Sequence, residues 1–220
     1  DMHRYFPVSK IVYTGNPIRK EITCTSVLKS EALVKLGLNL QQPVLLVLGG
    51  SLGSKRINQE IAKSIEWLTQ LGLQVLWQTG KLYFEKYKHL ARQSVLVVPF
   101  IEEMNIAYAA ADFIVSRAGA GAVSELSVVG KPTLFIPSPN VAEDHQTKNA
   151  QSVAQQKAAL YINEKDLEVK FQEVLSHLVK DEQKQSELSF NFKQLAKPYA
   201  AAQIVDEIEQ LIQKKYGELS

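Results

Sequence analysis

An α/β protein with a parallel, doubly wound sheet is predicted by three observations on the sequence. Apolar runs such as Val44-Leu-Leu-Val-Leu48 are continuous rather than alternating, as strands buried on both faces require. Stretches of helical periodicity separate these runs, so strands and helices alternate at a βαβ rhythm. Several runs end in glycine or small residues, where such sheets turn into helices.

Taken in order, Ile11-Val-Tyr-Thr14 reads as an entry strand and Val44–Leu48 as the next, closed by Gly49-Gly50. Ile57, Ile61, Ile65 and Leu68 recur at helical spacing, and that helix stops near Gly72. Leu73–Trp77 is a strand, Lys81–Arg92 a helix, Val95–Val98 a strand, and residues from about Glu102 to Ala110 a short helix. Then come a strand at Asp112–Ser116, a helix at Ala120–Val129 and a strand at Thr133–Ile136. Asp144–Lys157 reads as helix, with Asp144 as its cap, and Ala159–Ile162 as the final strand. Beyond Glu164 the pattern is helical. Pro198 stands near the start of a last amphipathic helix marked by Ile204, Ile208, Leu211 and Ile212. The expected organisation is an interdomain segment and entry strand over 1–20, a ligand-binding α/β domain over 21–163 and C-terminal helices over 164–220.

Bulk properties narrow the function. Hydrophobic residues make up 45% of 220, enough for a sizeable core. A net charge of +2 without a long Lys/Arg block argues against nucleic acid as a partner. The single cysteine, Cys24, excludes an intramolecular disulfide and fits a reducing cytoplasm. The four histidines show no metal-ligand spacing, and no apolar run approaches the ~20 residues of a membrane span. Asp1 is not an initiator, so the chain reads as a truncated product or the second half of a longer enzyme.

The most informative stretch is Arg117-Ala-Gly-Ala-Gly-Ala-Val-Ser-Glu125, between a strand and a helix. Small residues from Ala118 to Ala122 let a ligand approach the backbone. A helix starting near Ala120 turns unpaired N–H groups and its positive dipole end toward an anion. Glu125, about a turn inside, can accept hydrogen bonds from sugar hydroxyls. A phosphate site beside a hydroxyl-reading carboxylate suggests a nucleotide-type ligand, although such turns also serve only to pack a helix against a sheet. The loop Gly49-Gly-Ser-Leu-Gly-Ser-Lys-Arg56 is neither a P-loop nor a Gly-x-Gly-x-x-Gly dinucleotide turn. Its Ser51 can donate to a phosphate. Lys55 and Arg56 add charge there or are solvated at a helix start.

Five stretches together carry a resemblance: Thr14-Gly-Asn-Pro-Ile-Arg19, Leu48-Gly-Gly-Ser-Leu-Gly-Ser54, Pro99-Phe-Ile-Glu-Glu-Met104, Arg117–Glu125 and Glu143-Asp-His-Gln-Thr-Lys-Asn-Ala150. In this order and spacing they resemble the C-terminal half of the MurG family of bacterial N-acetylglucosaminyltransferases, from about Ile11 to Ala159 and more weakly beyond. The resemblance implies a GT-B architecture of two Rossmann-like domains facing a cleft. The C-terminal domain takes UDP-N-acetylglucosamine and needs no cofactor or metal. Transfer is inverting, to the lipid-linked muramyl-pentapeptide of peptidoglycan synthesis, at the cytoplasmic face of the cell membrane.

Carried over by motif, Arg19 and Ser51 hold the diphosphate, and the backbone of Ile101 pairs with the uracil edge beside Met104. Ala120, Gly121 and Ala122 present the helix N-terminus to the phosphates. Glu125 takes the ribose hydroxyls, and Gln146, with Asn149 as a weaker candidate, takes the N-acetylglucosamine hydroxyls. Each has a plainer reading: Arg19 as a surface ion-pair partner, Ile101 and Met104 as packing, Glu125 as a first-turn helix acid. His145 is read as a bystander, and Tyr108, Trp67 and Trp77 as packing residues. The acceptor site, membrane patch and catalytic base belong to the family's other half, so no catalytic residue is assigned. A non-catalytic nucleotide-sugar-binding subunit and a UDP-sugar epimerase remain as alternatives.

Overall fold

The computed structural model describes residues 5–24, 26–139 and 144–216. Its elements run α1 (Lys20–Thr23), α2 (Lys29–Leu36), β1 (Val44–Leu48), α3 (Lys55–Gln70), β2 (Gln74–Gln78), α4 (Lys81–Tyr87), β3 (Val95–Val98), α5 (Met104–Ala110), β4 (Phe113–Ser116) and α6 (Ala120–Val129). They continue with β5 (Thr133–Phe135), α7 (His145–Gln155), β6 (Leu160–Tyr161), α8 (Leu167–Lys180), α9 (Glu182–Gln194) and α10 (Ala200–Tyr216).

Six parallel strands form one sheet in the order β3-β2-β1-β4-β5-β6. The apolar runs explain it. Every residue of β1 and β2 is buried, because helices cover both faces. Within β1 the side chains alternate between two cores. Val44, Leu46 and Leu48 pack with Leu33 of α2, Ala107 of α5, Leu126 of α6 and Val153 of α7. Leu45 and Val47 pack with Ile57, Ile61 and Leu68 of α3 and Phe171 and Leu175 of α8. The period of 3.6 in α3 and of 2 in β1 meet in that second core.

The doubly wound class is confirmed, with three departures from the sequence reading. Ile11–Thr14 forms no strand: Val12 and Tyr13 are exposed, Lys197 lies over the Tyr13 ring, and the chain goes on to α6, where Asn16 bonds Ser124. A run of β-branched and aromatic residues makes a strand only where a neighbouring strand offers its ladder. Lys81–Arg92 breaks after Tyr87 into a 3-10 turn, Lys88–Leu90. Asp144 occupies the cap position of α7 in a left-handed conformation (φ 52°), and its carboxylate accepts from the Thr147 hydroxyl (2.6 Å) instead of a backbone N–H. Helices α1 and α2, which the sequence reading left unassigned, precede β1. Among the described residues, no helix is long and apolar enough to cross a membrane.

Candidate functional site

The strand order reverses direction between β1 and β4, so the loops leaving their carboxyl ends diverge and open a crevice there. The glycine loop follows β1 and the small-residue turn follows β4. The loop after β3 and the start of α7 border the same edge.

The glycine loop is pinned from below. Asn58 of α3 donates to the Thr79 carbonyl (2.8 Å) and accepts from the Trp77 indole (2.9 Å), fixing the exit of β2. Gly53, at φ 81°, rests on that exit, and a Cβ there would overlap the Thr79 carbonyl oxygen. Gln78, the last residue of β2, donates to the Gly50 carbonyl (3.1 Å) and accepts from the Ile101 N–H (2.9 Å). Ser51 and Leu52 form the exposed tip of the loop.

The turn after β4 is built differently. Helix α6 starts at Ala120, and its first-turn N–H groups have no helical carbonyl to reach. Ala120 and Gly121 are exposed and Ala122 half-buried, with open space around Gly119 and Gly121. Side chains hold this turn in place. Asn149 of α7 donates to the Ala118 carbonyl (3.0 Å), and Asn16 donates to the Ser124 hydroxyl (2.8 Å). Arg117 turns inward, donating to the Ile136 carbonyl (3.0 Å) and the Ser54 hydroxyl (2.5 Å). Glu164 lies 2.6 Å from Arg117 Nη2, off the line of its N–H bonds, so the contact is an ion pair rather than a hydrogen bond.

One turn into α6, Glu125 is the centre of a polar cluster. Arg19 Nη2 lies 3.1 Å from its Oε1 and 3.3 Å from its Oε2, and the Tyr108 hydroxyl donates to Oε1 (2.5 Å). Arg19 is 46% exposed and Glu125 19%, so the ion pair is water-screened and exchangeable. The Tyr108 hydroxyl is the inner support. Burial, reinforced by the negative charge of Glu125, pushes its ionisation well above the ordinary tyrosine range, so it remains a donor.

Arg19, Ala120–Ala122 and Glu125 are thus brought together. Gln146 stands across the turn, where its Oε1 accepts from the Ser138 N–H (3.0 Å). It lines a cavity of about 370 Å3 with Gly53, Lys55, Arg56 and Arg117. A second cavity, of about 460 Å3, lies on the other side of α6 beside Asn16, Ala120, Ser124 and Asn149. Met104 is buried in the core beneath the loop after β3, and Ile101 is half-buried. Glu143, part of the fifth motif, lies outside the described residues. A further cavity of about 460 Å3 beside Asp112 and Lys131 sits at the opposite strand edge, where no loop of the site converges.

Sequence reasoning missed Tyr108 and Gln78. Tyr108 is 17 residues from Glu125 and gives no local pattern. A glutamine closing an apolar strand was a signal for Gln78 that could have been read.

Residues 44–204 match the glycosyltransferase family 28 C-terminal domain. The chain belongs to that family. A relative from Flavobacterium psychrophilum is 47% identical over 216 residues, covering 98% of this chain and 59% of its own length. It is named UDP-N-acetylglucosamine–N-acetylmuramyl-(pentapeptide) pyrophosphoryl-undecaprenol N-acetylglucosamine transferase. This family-28 chain therefore spans somewhat over half the length of the curated relatives it matches. A crystal structure of Acinetobacter baumannii MurG superposes with a TM-score of 0.71 at 28% identity, over 89% of this chain and 57% of that one. A UDP-N-acetylglucosamine 2-epimerase structure superposes at 0.63 over 99% of this chain and 54% of its own, but at 16% identity it shares the fold alone.

Proposed function

We propose that this family-28 chain is the donor-binding half of an inverting N-acetylglucosaminyltransferase of peptidoglycan synthesis, taking UDP-N-acetylglucosamine at the crevice between β1 and β4. The observation that carries the reading is the meeting of Arg19 and Glu125 beside the exposed N-terminus of α6, in a chain 47% identical to a relative bearing that activity in its name.

The chemistry divides along the crevice. The N–H groups of Ala120–Ala122 and the Ser51 hydroxyl bind the diphosphate, with Arg19 swinging from Glu125 to a phosphate oxygen. Glu125, still held by Tyr108, accepts from the ribose hydroxyls. Gln78 already takes the Ile101 N–H, so the Ile101 carbonyl is the group for the imide N–H of uracil. Gln146 contacts the sugar, exchanging the bond it now makes to the Ser138 N–H, while Asn149, the weaker candidate, keeps the Ala118 carbonyl and supports the turn. As the glycosidic bond breaks, positive charge at Arg19 and the α6 N-terminus stabilises the departing diphosphate. The base for the acceptor hydroxyl, and the site for a lipid-linked muramyl-pentapeptide at the cytoplasmic membrane face, fall to the part of the relatives that this chain does not cover.

Calorimetric titration with UDP-N-acetylglucosamine, UDP-glucose and UDP tests the reading, alongside Glu125→Ala. Binding selective for the N-acetylglucosamine donor and weakened by the substitution is expected. Absence of binding to all three would overturn it. Conversion of UDP-N-acetylglucosamine to its 2-epimer would favour the epimerase reading instead.

A further inference from the structure

We propose that Gln78 is a positioning residue that couples the phosphate end and the base end of the nucleotide site. The inference rests on the donor-binding reading above and extends it to a residue that touches no ligand.

Gln78 closes β2, in register with Leu48 of β1 on one side and Val98 of β3 on the other. The loops leaving those two neighbours, 49–54 and 99–103, straddle it. Its side chain is 4% exposed, and both ends of the amide are used. Nε2 donates to the Gly50 carbonyl, one residue before Ser51, and Oε1 accepts from the Ile101 N–H. The amide can face only one way, because a carbonyl must receive and an N–H must give. One rigid planar group therefore spans two loops whose assigned ligand contacts are the phosphate and the base.

A nucleoside diphosphate presents its base and phosphates at a constrained separation. Two loops can read both ends only if their own separation is held, and error in such a distance is costly in affinity. Backbone contacts stop short of this: Gly53 and Asn58 secure the glycine loop to Thr79, whose N–H and hydroxyl donate to the Val98 carbonyl at the end of β3, but none of these bonds extends to Ile101. Gln78 supplies the link.

Substitution separates this role from a merely structural one. Gln78→Met removes both bonds at similar size. In Gln78→Glu the carboxylate still accepts from Ile101 N–H but sets a buried oxygen against the Gly50 carbonyl in place of a donor. UDP affinity is measured by calorimetry well below each variant's unfolding midpoint, so that loss of folded protein does not enter. Expected is a rise in Kd of tenfold or more for Gln78→Met and for Gln78→Glu alike. Amide exchange at Ile101 should be faster in Gln78→Met but near wild type in Gln78→Glu. A lowered midpoint with UDP Kd within twofold of wild type in both variants would overturn the proposal. If Gln78→Met does not fold, Gln78→Glu decides by the same criterion. Failure of the unsubstituted chain to bind UDP would instead sink the donor reading itself, so the two failures are distinct.

Discussion

The two glycine-bearing turns at the crevice have similar composition and opposite construction. After β1, Gly53 exists for an internal reason: the loop lies directly on the backbone leaving β2, and any side chain would meet the Thr79 carbonyl. After β4, Gly119 and Gly121 face open space, and the turn is held by Asn16, Arg117 and Asn149 reaching in from elsewhere. In the first turn Gly49 and Gly53 serve packing, and only Gly50, at φ 86° beside the exposed Ser51, has open space around it. In the second, glycine leaves backbone N–H groups approachable. A glycine-rich turn is therefore evidence for a ligand only where the space a Cβ would fill is empty.

Substitutions can break or sharpen that contrast. The largest effect is expected from Gly53→Ala, which combines a left-handed backbone with a backbone overlap. A loss of stability of about 3 kcal/mol or more is expected by denaturant unfolding. A near-neutral result would mean that the loop can lift from Thr79 and that the two turns are alike.

Glu125→Ala should weaken UDP-N-acetylglucosamine binding at least tenfold, about 1.4 kcal/mol. It also strands the buried Tyr108 hydroxyl, so Glu125→Gln, which keeps an acceptor there, is the companion to compare by calorimetry and thermal unfolding.

Gly121→Ala is the counterpart of Gly53→Ala. With open space and a helical position, it should leave stability unchanged or raise it by up to about 1 kcal/mol. UDP affinity should fall nonetheless if the α6 N-terminus meets the diphosphate. Unchanged affinity would place the phosphates elsewhere.

The smallest effect concerns Tyr108. Its folded-state ionisation lies above that of the unfolded chain, near pH 10 for free tyrosine. As pH rises past about 10, the unfolded chain ionises first and stability is lost, whereas below that the contribution is intact. Tyr108→Phe should flatten the alkaline end of a stability–pH curve and reduce UDP affinity a few-fold at neutral pH. An unchanged curve would show that Tyr108 does not carry the alkaline loss.

Much of this was legible beforehand, for local reasons. Helix α6 has the bounds its sequence suggests, because the small residues before Ala120 and Gly130 after Val129 mark both ends. The buried strands announced themselves as unbroken apolar runs. The reading failed where a local pattern needed a partner. Ile11–Thr14 has the β-branched and aromatic composition of a strand but no neighbouring ladder, and Asp144 has a capping residue's chemistry without its backbone conformation.

At the site, the motifs identified the turns but not who holds whom. Arg19 and Glu125 are 106 residues apart, and each was assigned separately to a ligand. Their pairing, the support from Tyr108, and the Gln78 link between two loops exist only once the sheet is assembled.

Sequence alone determined the doubly wound class, the position of the glycine turns and the family likeness. These follow from short-range periodicity, backbone sterics and ordered motifs along the chain. Tertiary structure alone decided which glycines pack and which lie open, and which polar groups already hold one another. Hydrogen bonds and excluded volume act through space, and the strand order β3-β2-β1-β4-β5-β6 brings distant segments to one edge.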